Sequence, residues 1–133
     1  MKRALFVALV FAFATLGRGS LSAHHSHAST YFEDQRMEIE GELVQVSIRN
    51  PHSWVHVNVK EKDGQVRLYA IEWAAGTQLN RVGVDGKTLR AGDKVKIIGA
   101  PGRNPADRRL EMQTIVRPSD GWKWGFLPGE VVG

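Results

Sequence analysis

Apolar and polar residues alternate with period two in several stretches of this chain, separated by turns rich in Gly, Pro and Asp. In 37–49, Met37, Ile39 and Gly41 share one face and Glu38, Glu40 and Glu42 the other. The phase then slips, because Leu43 and Val44 are both apolar and Val46 and Ile48 follow Val44. A slip beside a glycine predicts a bulge or sharp bend. One long bent strand over 37–49 then serves two sides of a small barrel. Asn50-Pro51 breaks the ladder, since proline has no N–H to donate. Ser53 to Lys60 is a second strand, with Val55, Val57 and Val59 on one face and Trp54, His56, Asn58 and Lys60 on the other. Lys62-Asp63-Gly64 turns the chain into a third strand, Val66 to Trp73.

Two registers of that hairpin are open. A two-residue Asp63-Gly64 turn sets His56 opposite Ile71, whereas a three-residue turn sets it opposite Ala70. The three-residue turn is preferred, because it groups Tyr69, Ile71 and Trp73 with the valines on one core face. It also sets Glu72 across from Trp54 and diagonal to both His52 and His56, within reach of long side chains.

Residues 76–83 predict a short helix, with Thr77 as cap, Gly83 as terminator, and Leu79 and Val82 facing the barrel. A fourth strand covers Lys94 to Gly99. A fifth covers Arg109 to Arg117, with Leu110, Met112, Thr114 and Val116 on one face. Trp122-Lys123-Trp124 is expected to lie back on the body. Three strands, a short helix and two strands predict an all-β domain with a small α contribution: an OB-fold-like five-stranded barrel over 37–117. A C-terminal extension covers 118–133. The alternative is another small barrel or sandwich of the same strands.

The N-terminal residues have a different pattern. Met1-Lys2-Arg3 is basic, Ala4 to Leu16 is apolar apart from Thr15, and Leu21-Ser22-Ala23 resembles a small-residue cleavage site. Residues 1–23 are therefore expected to be a cleaved signal peptide, with a periplasmic or secreted product and no stable membrane anchor after cleavage. The alternative is an uncleaved anchor, although the run is shorter than the ~20 residues a spanning helix needs. A histidine-rich segment, 24–36, follows without clear period and is expected to be extended or mobile. Cysteine is absent, which excludes disulfides and thiolate metal sites. The 18 basic and 14 acidic residues become 15 and 14 once Lys2, Arg3 and Arg18 leave with the signal. That near-neutral balance lacks the overall excess a nucleic-acid binder uses against phosphates, so no nucleic-acid partner is expected.

His24-His25-Ser26, Tyr31-Phe32-Glu33 and Asn50-Pro51-His52-Ser53-Trp54 resemble an exported bacterial family known only as a domain of unknown function. Ile71-Glu72, Leu79-Asn80-Arg81-Val82-Gly83 and Leu89-Arg90-Ala91-Gly92-Asp93 fit the same pattern. Trp73 stands where the family pattern has glycine. The resemblance implies export and brings no settled activity, substrate or cofactor.

Three constellations bear on function. His24, His25, His27, His52, His56 and Glu72 are candidate metal ligands. Imidazole suits Cu(II) and Zn(II), an N-terminal His24 would chelate through its amine and ring, and Glu72 is a ligand or an imidazole's partner. The bland reading makes 24–27 a solvated tail, His52 a turn residue and His56 a half-exposed strand residue. Trp54, Asn58 and Lys60 form a candidate ligand face, with Arg103, Arg108 and Arg109 in the loop between the fourth and fifth strands as anion contacts; against it, Trp54 packs under the N-terminal segment or under Trp122-Lys123-Trp124. A His–Glu pair and an oxidative copper centre built on His24 are the candidates for catalysis, with no framed nucleophile, so no enzyme is expected. The expectation is an exported binding or accessory protein with copper or zinc as the concrete ligand. The alternative is a metal-independent OB-fold interaction module whose partner is an envelope protein or other envelope component.

Overall fold

The computed structural model describes residues 27–125, and the chain divides into two compact units, 1–30 and 31–133. Of the first unit the described residues, 27–30, are helical. The sequence suggests an extended or mobile segment there, and four residues are too few for an apolar period to show. The expected signal peptide, His24 and His25 lie outside the described residues.

The second unit is the barrel. β1 is Met37–Ser47, β2 Ser53–Lys60, β3 Val66–Trp73, α1 Gly76–Arg81, β4 Lys94–Pro101, β5 Arg109–Arg117 and β6 Trp122–Trp124. The first half of β1 pairs with β4, from Met37↔Gly99 to Glu42↔Lys94. Its second half pairs with β2, from Glu42↔Asn58 to Ser47↔Trp54. The handover coincides with Gly41, where a Cβ would overlap the Asn58 carbonyl oxygen and a Val57 methyl. The register shift lies between Leu43 and Gln45, so Val44 is the extra residue and faces solvent while Leu43 is buried. A parallel pairing of β3 with β5, Ala70↔Arg109 to Glu72↔Glu111, closes the sheet. The order around the barrel is β1-β2-β3-β5-β4, the five-stranded OB-type arrangement expected from the sequence.

The β2–β3 register is Val57↔Tyr69, His56↔Ala70 and Trp54↔Glu72, which is the three-residue turn. Gly64 takes φ 81°, a left-handed conformation that glycine adopts at little cost. Val55, Val57, Tyr69, Ile71, Ile97, Leu110 and Ile115 form the core centre.

Three expectations about packing are corrected. Val82 is exposed and Val84 takes the buried place beside Leu79, because the helix ends at Arg81 and left-handed Gly83 turns the chain back. Thr77 does not cap α1; its N–H and hydroxyl both donate to Asn50 Oδ1, at 3.1 and 3.3 Å, from the loop after β1. In β5 the core residue is Ile115, not Val116, because Gly99 pairs with Met112 while Ile98 pairs with Thr114. Gln113 is thereby an extra residue that shifts the alternation. Trp122 to Trp124 do return to the body, as a sixth strand on β5, and Trp124 meets Trp73 edge-on with centroids 5.3 Å apart.

Candidate functional site

The site forms where β2, β3 and the start of β5 meet. Alternation on β2 turns the valines inward and Trp54, His56, Asn58 and Lys60 outward; pairing sets Glu72 directly across from Trp54. The loop before β2 is fixed by Ser53, fully buried, whose hydroxyl accepts from Arg49 N–H at 3.1 Å and donates to Arg49 O at 3.2 Å. This holds His52 over the end of β3, with Nδ1 3.3 Å from Glu72 Oε1.

Glu72 is 7% exposed, which is rare for a carboxylate unless it is partnered. Its other oxygen, Oε2, accepts from Tyr31 hydroxyl at 2.5 Å and from Arg109 Nη2 at 3.0 Å. Arg109 Nε donates to the Tyr31 oxygen at 2.7 Å, closing a three-membered network. Tyr31 is held by bridging to Gly102 and by Phe32 N–H donating to Pro101 O at 2.9 Å. Arg109 is delivered by barrel closure and lies with its guanidinium carbon 4.7 Å from the Trp54 ring centroid.

Burial pushes the Glu72 carboxyl up, but the Tyr31 and Arg109 hydrogen bonds and the nearby His52 and Arg109 charges outweigh it, so its pKa is lowered and it is ionised at neutral pH. Burial, then the bond to Glu72, raises Tyr31, which keeps its proton and donates. The site is thus a fixed anion with one oxygen committed to a tyrosine and an arginine, and the other turned to a half-exposed imidazole.

Of the expected site residues, His52 and Glu72 come together, with Trp54 beside them. His56 does not join them: its Nδ1 is buried with no hydrogen-bond partner among the described residues, and it makes no hydrogen bond to Glu72. The expected reach of Glu72 to both histidines is therefore corrected, since Tyr31 and Arg109 draw the carboxylate toward β5. Asn58 and Lys60 are exposed farther along β2. Trp54 is half-buried, with the Arg109 guanidinium over its ring. Sequence reasoning missed Tyr31 as a site member, and it placed Arg109 as an anion contact of the ligand face rather than as the partner of Glu72. The signal for Arg109 was the barrel itself, whose closing pair sets the start of β5 beside β3.

Among curated proteins none matches this chain. The solved structures it is similar to include two of the mitochondrial single-stranded DNA-binding protein of S. cerevisiae, Rim1. One is 19% identical, covering 61% of this chain and 90% of that one, with a TM-score of 0.46. The other, selenomethionine-labelled, is 18% identical with the same coverage and a TM-score of 0.44. The expectation of no nucleic-acid partner is corrected by this finding, because these similar chains are named as binders of single-stranded DNA. The barrel is of the kind that serves as a small binding module. Residues 13–111 match the family model described as "Family of unknown function (DUF6152)", and the chain belongs to that family.

Proposed function

We propose that this protein is an exported binding module that holds a divalent transition metal, Cu(II) or Zn(II), on His52 and Glu72. The observation that carries the reading is the 3.3 Å between His52 Nδ1 and Glu72 Oε1. That spacing is longer than a good N–H···O hydrogen bond, which centres near ~2.9–3.0 Å. It matches the roughly 3.3 Å edge of a tetrahedral site whose bonds are about 2.0–2.1 Å. The carboxylate is already ionised and oriented through its other oxygen, the kind of outer support metal ligands receive.

Two donors make an incomplete site. The sequence's further candidates, His24, His25 and His27, lie seven, six and four residues ahead of Tyr31. Their alanine variant tests whether they add to the binding. His56 is not assigned a place. The basic and apolar N-terminal run supports export, and the role is binding rather than catalysis.

A second reading has its own support. Glu72 is satisfied by Tyr31 and Arg109 without a metal, and Val66 and Leu68 are 60% and 51% exposed on β3 across from Lys60 and Asn58. On that reading the outer face of Trp54, Asn58 and Lys60 docks an envelope protein, and metal is incidental.

Mass spectrometry of the exported protein establishes whether it begins at His24. Calorimetric titration with Cu(II) and Zn(II) then compares it with His52→Ala and with a His24→Ala/His25→Ala/His27→Ala variant. The metal reading expects both variants to bind more weakly. Affinity no greater than that of an unrelated histidine-bearing peptide sinks it. Trp54→Ala losing capture of an envelope protein, with folding intact and metal binding absent, favours the second reading.

A further inference from the structure

A cavity of about 400 Å³, which shares only Arg109 with the network around Glu72, lies between the segment after Tyr31, β3 and the loop joining β4 to β5. Phe32, Met37, Tyr69 and Pro101 give it apolar and aromatic walls, and Arg108 and Arg109 stand on its side. Its size is within the ~300–1,000 Å³ of small-molecule sites, and Gln35, Asn104 and the Arg-paired Glu61 also line it beside the apolar walls.

Two observations on Arg108 point to a ligand. The first is its backbone, at φ 45° and ψ 54°; among the described residues it is the one non-glycine residue with positive φ. Glycine or asparagine adopts that conformation more readily, and strain of this kind concentrates at functional positions. The second is its hydrogen bonding. Arg108 donates to Glu61 Oε1 through Nε alone, at 2.9 Å, and its Nη groups make no hydrogen bond among the described residues. Glu61 is also held by Tyr69 hydroxyl at 2.8 Å and by Arg67, so it positions the arginine without consuming the guanidinium fork. Arg109 spends Nε on Tyr31 and Nη2 on Glu72 and leaves Nη1 without a hydrogen bond among the described residues. Arg103 stacks its guanidinium 4.5 Å from the Phe32 ring centroid, which braces the aromatic wall.

We propose that this cavity binds a small ligand with an aromatic ring and one anionic group, a carboxylate or a phosphate. The ring lies against Phe32, Tyr69 and Met37, and the anion takes the Nη face of Arg108 with Arg109 beside it. A planar anion receives two parallel N–H bonds from such a fork, which a lysine cannot supply.

The test is ligand-observed NMR and calorimetry on the metal-free full-length protein, with benzoate, phenyl phosphate, benzyl alcohol and inorganic phosphate as probes. Benzoate or phenyl phosphate binds saturably at one site, and benzyl alcohol and inorganic phosphate each bind at least about tenfold more weakly. Arg108→Gly removes the fork and relieves the backbone, so the variant stays folded by circular dichroism while affinity falls about tenfold or more. Phe32→Ala weakens the aromatic anions and leaves inorganic phosphate unchanged. The proposal is overturned if neither aromatic anion saturates at millimolar concentration, or if folded Arg108→Gly binds as the wild type does. Benzyl alcohol or inorganic phosphate binding as tightly as the aromatic anions overturns it equally.

Discussion

Replacing Glu72 by Gln tests the network on which the site rests. The amide keeps the shape of the side chain and still accepts from Tyr31 and Arg109, but it removes the charge. A hydrogen bond to an ionised group contributes about 1.5–3 kcal/mol and a neutral one about 0.5–1.5, so two weakened bonds lose about 2 kcal/mol together. Arg109 is 36% exposed at its side chain, so solvent screening holds the loss near that value, below the figures for fully buried pairs. For a domain of this size the melting temperature falls by about 10 °C. The pH dependence is the sharper signature. Glu72 has a lower pKa folded than unfolded, so in the interval between the two values the unfolded state binds more protons and stability rises with pH. Its contribution is complete above the unfolded value of about 4.3 and is lost as pH falls through the folded one. Glutamine does not titrate. Thermal unfolding of metal-free wild type and Glu72→Gln should therefore differ fully near neutrality and converge as pH falls through the lowered folded-state value of Glu72. A gap that stays constant into acid, or no gap at neutral pH, refutes the reasoning.

Three further changes test how the barrel holds the site. Gly41→Ala sets a methyl against the Asn58 carbonyl where β1 passes from β4 to β2, and it should cost about 3 kcal/mol in thermal or denaturant unfolding. Leu110→Ala, at a fully buried position on the closing strand beside Arg109, should cost about 2–5 kcal/mol in the same assay. Asn50→Ala removes the acceptor of the Thr77 N–H and should cost about 1 kcal/mol, read as faster amide exchange at Thr77 with β2 and β3 unaffected.

The barrel was legible where local chemistry and burial agree. Val55, Val57 and Val59 alternate without interruption, Asp63-Gly64 marks the turn, and only the three-residue register gathers Tyr69, Ile71 and Trp73 with them. The same register correctly set Glu72 across from Trp54. Positions beside backbone irregularities were less legible. Val82 looked like core because it follows Leu79 by three, yet the helix stops one residue before it. Val116 alternates with Met112 on paper, but Gln113 is an extra residue opposite β4 and Ile115 takes the core place. The site was half legible. His52, Trp54 and Glu72 are joined by one hairpin and its entering loop. Tyr31 and Arg109 reach Glu72 across 41 and 37 residues of chain, and no local pattern records a contact made by barrel closure. A buried acid on an outward row does demand a cation, and that demand was the available clue.

The central claim is that His52 and Glu72 chelate one ion, and anomalous diffraction from crystals grown with Zn(II) tests it most directly. The account predicts a zinc peak bound by both His52 Nδ1 and Glu72 Oε1, about 2.0–2.2 Å from each. Zinc found only elsewhere, with the His52–Glu72 pair still in direct contact, contradicts it.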